Sequence, residues 1–529
     1  MLLSSADERA TFIEKSANER KERERFRQNT ELARKIQSIT RGYLARKQFR
    51  ERIRTDIDAK LSSFIDVDKN GKPAVVNIDI LNLTALLLQF ASFDKDLERI
   101  RTICRYMVVS VDVNAASSSF VALFLSKLHL KKANSVVSHL FTMLPSWMLK
   151  LDTEKMSEVQ TLNLFTRFLL SYGTCNGWSL VKSIPSVLDV LNGMCAKICS
   201  GLTNTGAYTD LSKVLYRIVC HAKSSENLTT LFTVLLRPVK SKNYGSRELT
   251  LFIRNVLVCP GLLTLLTSSQ LNALISDRVF EHAVRLLAST KISTELDGTD
   301  SLSLLANLIH LCYLDQKELI EHLLEWAAVM NELLTRCRDF TVAAKKKSHF
   351  HPILGWYSKR LDTGVEETIA PLNRQLKFLW NKNMVHCLFG SILQGVKPGT
   401  SGSPISANSA TFLGSDVTSS IQKLWKKFSL RDDTVIYGSR SIPPVSMTAV
   451  ICQLYQNALL TLVNIESDIL SGLCREDYLL PLLWSSVCSS SSDSGLTFYL
   501  NLLASDRAQT LPHFAPLMLF ADTAASVIS

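Results

Sequence analysis

The sequence has no apolar run of the ~18 residues that a membrane-spanning helix needs, so no spanning segment is expected. Its start, M-L-L-S-S-A-D-E-R, meets acidic charge before a signal-like apolar region could form, which points to a soluble, unprocessed chain. Strand-like alternation is nearly absent, which argues against a sheet protein. No G-x-S-x-G, P-loop, dinucleotide fingerprint or H-E-x-x-H occurs, so no catalytic residue, resident metal or cofactor is assigned. The 12 cysteines form no framework; Cys104, Cys220, Cys259, Cys312 and Cys452 stand singly in apolar stretches, as small core residues of a reducing compartment do. Sequons at Asn82 and Asn227 fall in leucine-rich helical stretches and are discounted.

Proline is missing from residues 8–58 as well, and Gly42 is the one glycine there. The stretch is filled with Arg, Lys, Glu, Gln, Ala and Leu, which lose little rotamer freedom in a helix, so one long helix is predicted. Within it residues 36–46 read I-Q-S-I-T-R-G-Y-L-A-R, a complete I-Q-x-x-x-R-G-x-x-x-R pattern. On a helix Ile36, Ile39, Tyr43 and Leu44 fall at i, i+3, i+7 and i+8 as one apolar stripe. Arg34, Lys35, Arg41, Arg46, Lys47 and Arg50 ring it with positive charge. Such a helix suits the groove of an acidic, Met-rich partner, calmodulin or a calmodulin-like light chain. Gln37 offers an amide to partner backbone, and Gly42 lets a partner approach closely at a helix-propensity cost of ~1 kcal/mol. The other readings of this stretch are an amphipathic helix lying on its own protein, or a basic helix that touches membrane or nucleic acid.

Charge is concentrated in this arm. Residues 1–60 hold 5 Lys and 11 Arg against 10 acidic residues, a net +6 that is half of the chain's +12. The body is only mildly basic, and no aromatic-interleaved basic patch or zinc-finger spacing accompanies it, which disfavours nucleic acid as the partner.

At 529 residues with 46% hydrophobic content, the chain can bury a large core. From about residue 78 it repeats one theme, a leucine-rich segment of helical spacing followed by a short polar break: 79–93, 97–109, 120–130, 159–170, 188–199, 228–236 and 302–314. The prediction is all-α: a long N-terminal basic helix, then an irregular multi-helix body of armadillo or HEAT-like kind, without a strict repeat period. Asp315 with Glu318 is expected to open a helix running through Trp326, and Thr363 with Glu366 another before Pro371. The predicted divisions are an arm at 1–60 with the IQ motif at 30–55, a polar linker at 61–77 and a main body at 78–394. A Gly/Ser/Pro-rich linker at 395–420 and a C-terminal helical group at 421–529 follow; the serine-rich stretch 485–494 is read as a further break.

Weaker motifs resolve into structural readings. Asp66, Asp68, Asn70 and Gly71 copy the start of an EF-hand loop, but its twelfth position is Asn77 and Pro73 interrupts it, so a polar turn is predicted. Cys195 with Cys199, His310 with Cys312, His349 with His351, and His386 with Cys387 lack a second metal-ligand pair. Cys387 beside His386 and Cys220 beside His221 are sequence neighbours only, and core cysteines are expected. Lys345 to Lys347 reads as a solvated helix end.

The arrangement resembles the IQ-bearing HECT-type ubiquitin-protein ligases called types 3B and 3C, more closely 3B. The resemblance rests on A-R-K-I-Q-S-I-T-R-G-Y-L-A-R-K-Q-F-R, the R-I-R-T-D-I-D that follows, S-H-F-H-P-I-L-G-W-Y-S at 348–358 and R-Q-L-K-F-L-W at 374–380. It implies the N-terminal half of such a ligase, with a catalytic domain downstream where a cysteine accepts ubiquitin from a conjugating enzyme as a thioester. Nothing in this sequence matches that domain; Cys488, in S-S-V-C-S-S-S-S, is unlike its active-site segment, so a fragment, truncated gene model or short isoform is expected. The 529 residues alone are expected to form no ubiquitin thioester, and a reductant-sensitive ubiquitin adduct on the purified protein would overturn this.

The leading reading is therefore a regulatory, substrate-recruiting ligase portion that binds calmodulin through Ile36, Gln37, Ile39, Arg41, Gly42, Tyr43, Leu44 and Arg46. A conjugating enzyme is a partner only if the catalytic domain is present. The setting is cytoplasmic, with nuclear or organelle-surface association as further options. The rival is a non-enzymatic calmodulin-binding helical adaptor.

Overall fold

The computed structural model describes residues 4–67, 77–113, 119–152, 155–221, 225–240, 245–290, 292–345, 349–350, 357–358, 370–393, 447–489 and 514–528. Among them the all-α expectation holds. The only strands among the described residues are two-residue pieces, β1 (His349–Phe350) and β2 (Tyr357–Ser358), paired antiparallel with His349 opposite Ser358 and Phe350 opposite Tyr357. No described helix is long and apolar enough to cross a membrane.

The arm forms α1, Ser4–Val67, a helix of 64 residues. Its length is what the sequence dictates, since no proline removes an N–H along it. Thr30 and Thr40 return their hydroxyls to the carbonyls of Phe26 and Ile36 at 2.7 and 2.8 Å. The helix runs on through the first part of the linker expected at 61–77, because Leu61 has an apolar surface to join and is 5% exposed. Residues 68–76, with most of the EF-hand-like segment, lie outside the described residues.

The chain divides into two units, the first formed by residues 1–140 and 176–191. There α1 meets α2 (Asn77–Leu87) and α3 (Phe93–Ser110). Ile80, Leu81, Ile100, Met107, Phe120 and Trp178 are buried, and Phe124 stacks on Trp178 with centroids 5.8 Å apart. The stretch expected as a helix over 120–130 starts with a 3₁₀ turn, Phe120–Phe124. Asn77, the twelfth position of the EF-hand-like pattern, is buried and donates from Nδ2 to the Ser119 carbonyl at 2.8 Å.

The second unit comprises residues 141–175 and 192–529. Its packing partners are mostly close neighbours in chain order. α5 (Met156–Gly173) and α8 (Ala207–His221) lie against α9 (Ser225–Lys240). Farther along, α13 (Val279–Ser289) and α14 (Gly298–Leu314) lie against α16 (Leu323–Lys345). Instead of one helix through Trp326, Asp315 caps α15 (Gln316–Glu321), and His322 separates it from α16 with φ −116° and ψ 23°. The chain breaks where the His322 ring sits among Glu281, Glu318 and Glu325. The segment around Thr363 and Glu366, the linker at 395–420 and residues 490–494 of the serine-rich stretch are outside the described residues; Ser485 to Ser489 belong to a helix, Leu479–Ser489.

The helices expected as a separate C-terminal group are seated on the main body. α19, Met447–Thr461, packs along α16. Tyr455 donates to the Leu379 carbonyl at 2.7 Å, Thr461 to the Leu334 carbonyl at 3.2 Å and Asn457 to Asn331 Oδ1 at 2.7 Å. R-Q-L-K-F-L-W sends Gln375, Leu376, Leu379 and Trp380 into this core, while Arg374 and Lys377 stay exposed. Gln375 is fully buried and donates to Asn307 Oδ1 at 2.7 Å, and Asn307 donates to the carbonyls of Leu257 and Cys259 at 2.7 and 2.9 Å. Both amide nitrogens and Asn307 Oδ1 are thus paired, as buried polar groups usually are.

Candidate functional site

Along α1 the apolar residues are sorted by position. Ile36, Ile39, Tyr43 and Leu44 are 63, 69, 58 and 48% exposed, while Ile53, Ile57 and Leu61 are 8, 0 and 5% exposed. The IQ stripe thus stands in solvent, its side chains already presented, and the root of the helix is buried. Gln37, Arg41 and Arg46 are exposed, and a Cβ on Gly42 would meet nothing closer than the flexible Arg46 guanidinium, 3.2 Å away. All eight sequence-assigned residues therefore share one accessible stretch of helix.

What holds that helix is a set of ion pairs that the sequence reading did not assign. Arg54 grips buried Asp96 with two hydrogen bonds, Nε to Oδ1 at 2.8 Å and Nη2 to Oδ2 at 2.9 Å. Its third nitrogen donates to Glu51 at 2.7 Å. Arg99 repeats the fork in the opposite direction, donating to both oxygens of Asp58 at 2.8 and 2.6 Å, and also reaches Asp96 Oδ1 at 3.0 Å. The Ser92 amide donates to Asp96 Oδ2 at 3.0 Å. Burial pushes the Asp96 carboxyl up, but the Arg54 hydrogen bonds, the Ser92 amide and the charges of Arg54 and Arg99 together hold it below the usual carboxylate range. The hydrogen bond to Asp96 raises Arg54 in turn. Planar bidentate pairing is the strong form of this contact.

Arg54 and Arg50 also lie over the Phe90 ring, 5.2 and 5.8 Å from its centroid. The signal for this clamp was present in R-I-R-T-D-I-D, where Arg54 and Asp58 stand at i and i+4, each directly after an apolar residue, Ile53 and Ile57. Their partners, Asp96 and Arg99 on α3, are some forty residues away, and local spacing cannot nominate them.

The other candidates are structural. Burial raises the Cys195 thiol to about 12 and the Cys199 thiol to about 11, and Cys199 donates to the Gly173 carbonyl. Cys312 is fully buried and donates to the Ile309 carbonyl, and burial raises the Cys387 thiol. No nucleophilic thiolate is favoured at these positions. His386 sets its ring edge-on to Tyr478 at 5.7 Å, and His351 is outside the described residues. Lys345 ends α16, and residues 346–348 are outside the described residues. Glu281, Glu318 and His322 bring ligand-type atoms within 4.8 Å of one another. Their carboxylates are already engaged, Glu281 by Arg278 and Arg285 at 2.7 and 2.5 Å, and Glu318 by Arg278 at 2.9 Å. This is an ion-pair junction of helices α13, α15 and α16.

Fold and site together define an all-α protein that presents a basic IQ helix. The family model for the IQ calmodulin-binding motif matches residues 30–50. Over its whole length the chain is similar to ubiquitin-protein ligase E3B of Mus musculus, 28% identical over 555 residues, covering 100% of this chain and 51% of that protein. The Homo sapiens ubiquitin-protein ligase E3B is 27% identical over 551 residues with the same coverage. These homologues bear out the resemblance to the IQ-bearing ubiquitin ligases, and the chain spans about half the length of the curated relatives it matches. No solved structure matches it.

Proposed function

We propose that the chain is the regulatory and substrate-recruiting portion of a HECT-type ubiquitin-protein ligase, controlled by calmodulin or a calmodulin-like light chain bound at the IQ helix. The observation that carries the partner assignment is the solvent-exposed stripe Ile36, Ile39, Tyr43 and Leu44 inside the matched motif. Calmodulin-type grooves take up such a stripe by burying its apolar side chains, while Arg41 and Arg46 meet acidic rims and Gln37 bonds to partner backbone. Similarity of the whole chain to about half the length of two ubiquitin-protein ligases supports the ligase setting. The helical body would recruit protein substrates, and a conjugating enzyme would be a partner only where a HECT domain is present. The cytoplasm is the proposed location.

The assignment is tested by calorimetric titration of the purified chain with calmodulin, in calcium and in chelator. The double substitution Ile36→Ala with Gln37→Ala is expected to weaken binding at least tenfold in the calcium state that supports it, since two interfacial side chains are truncated. Unchanged affinity would show that the partner, if it binds, does so elsewhere.

A further inference from the structure

The exposed IQ stripe and the buried root of α1 lie on one face of the helix. Residues seven apart drift only about 20° around an α-helix. Ile36, Tyr43, Arg50 and Ile57 therefore form a single row, and it passes from open solvent at Ile36 to complete burial at Ile57. The crossing point is a recess of about 240 Å³ lined by Tyr43, Lys47, Arg50, Phe90, Ser92 and Lys95 among others. Tyr43 is itself a member of the IQ stripe, Phe90 and Ser92 belong to the corner between α2 and α3, and Lys95 to the first turn of α3.

We infer that the partner held by the IQ helix is seated at the same time on this corner of the first unit, so that the α2–α3 corner completes an acidic EF-hand protein's docking surface. This rests on the calmodulin-type reading given above. From Tyr43 to Arg50 the helix rises only about 10 Å. An EF-hand pair is at least two packed helices wide, about 20 Å, so a lobe centred on Tyr43 covers about 10 Å to either side and reaches Arg50 on the face where the corner stands. The recess has the charge to receive it: Arg46, Lys47, Arg50 and Lys95 line it against one acidic residue, Glu51, in addition to Arg54, whose charge Asp96 already meets. The Lys95 side chain is 60% exposed and makes only a long 3.8 Å pair with Glu51, which leaves it available to a carboxylate of the partner. Because Arg54 and Ser92 both hydrogen-bond Asp96, a partner resting on Ser92 and Arg50 touches the groups that fix the arm to the body.

The test uses the full chain and calmodulin as the probe, with affinity read by fluorescence anisotropy. Lys95→Glu is expected to weaken binding about tenfold, whereas Lys197→Glu, the same charge change at an exposed site on the second unit, leaves it within twofold. Hydrogen exchange of residues 90–96 is expected to slow when calmodulin is added. If Lys95→Glu binds like the unmodified chain and these amides are unprotected, the composite surface is wrong, while sensitivity to Ile36→Ala with Gln37→Ala would leave the IQ assignment intact. If the unmodified chain binds no calmodulin, both fall; capture by phosphatidylserine vesicles that depends on Lys95 would then mark the recess as a membrane contact.

Discussion

Asp96→Asn will loosen the root of the arm by about 3 kcal/mol, the lower end of what losing one member of a buried ion pair costs. The substitution leaves Arg54 buried against an amide that can accept one of its two hydrogen bonds, and it removes the charge shared with Arg99. Hydrogen exchange at residues 51–61 reads the effect directly, because a multi-unit chain need not unfold in one step. Exchange there should accelerate about 100-fold, since 1.36 kcal/mol is a factor of ten. An unaltered rate would mean that the apolar contacts of Ile53, Ile57 and Leu61 suffice. Acid should reproduce the substitution. The Asp96 carboxyl is held below its ordinary value in the folded chain, so its contribution is present above the usual carboxylate range and is lost as pH falls through the depressed value.

A second large effect belongs to His310. Its ring is 7% exposed, lies 4.8 Å from Phe378 and has Gln375 Nε2 3.4 Å from Nδ1. Burial lowers its pKa to about 4, so the folded core holds it neutral. The unfolded chain, with an ordinary histidine near 6.5, takes up the proton more readily between those values. Stability of the second unit should therefore fall as pH drops from about 6.5 to about 4, by roughly 3 kcal/mol in all, and His310 should add nothing further below that. His310→Gln removes the titration. Denaturant midpoints measured at pH 7 and pH 5 should differ less in that variant than in the unmodified chain; an equal difference would assign the acid sensitivity to other groups.

The helical class and the arm were legible because they are local properties. Freedom from proline, good helix formers and an intact I-Q-x-x-x-R-G-x-x-x-R spacing need no knowledge of the rest of the chain, and α1 exceeds the expected length at both ends, at its C-terminal end where Leu61 finds a buried setting. Long-range choices were not legible. The clamp joins Arg54 to Asp96 across a gap of 42 residues, and Thr461 joins α19 to Leu334 across 127, so neither the anchor nor the attachment of the last helices could be read from spacing. His322 shows the same limit on a small scale. The capping pattern at Asp315 correctly marked a helix start, but the carboxylate of Glu281, from a different helix, takes part in the setting that interrupts it. The IQ residues were assigned by pattern alone; Phe90 and Lys95, which the proposed composite surface adds, lie at and just after a helix-to-helix corner with no motif of their own.

The clamp also makes α1 a lever. A helix rises about 1.5 Å per residue, so the segment from Ile53 back to Ser4 is roughly 75 Å long and is fixed at one end. A tilt of only about 10° at the Arg54–Asp96 pivot sweeps the far tip through roughly 13 Å, whereas Tyr43, about 15 Å from the pivot, moves less than 3 Å by the same geometry. The stripe sits near the fulcrum, and the length beyond it, with Phe12 and Phe26 exposed, is where a small angular change becomes a large displacement.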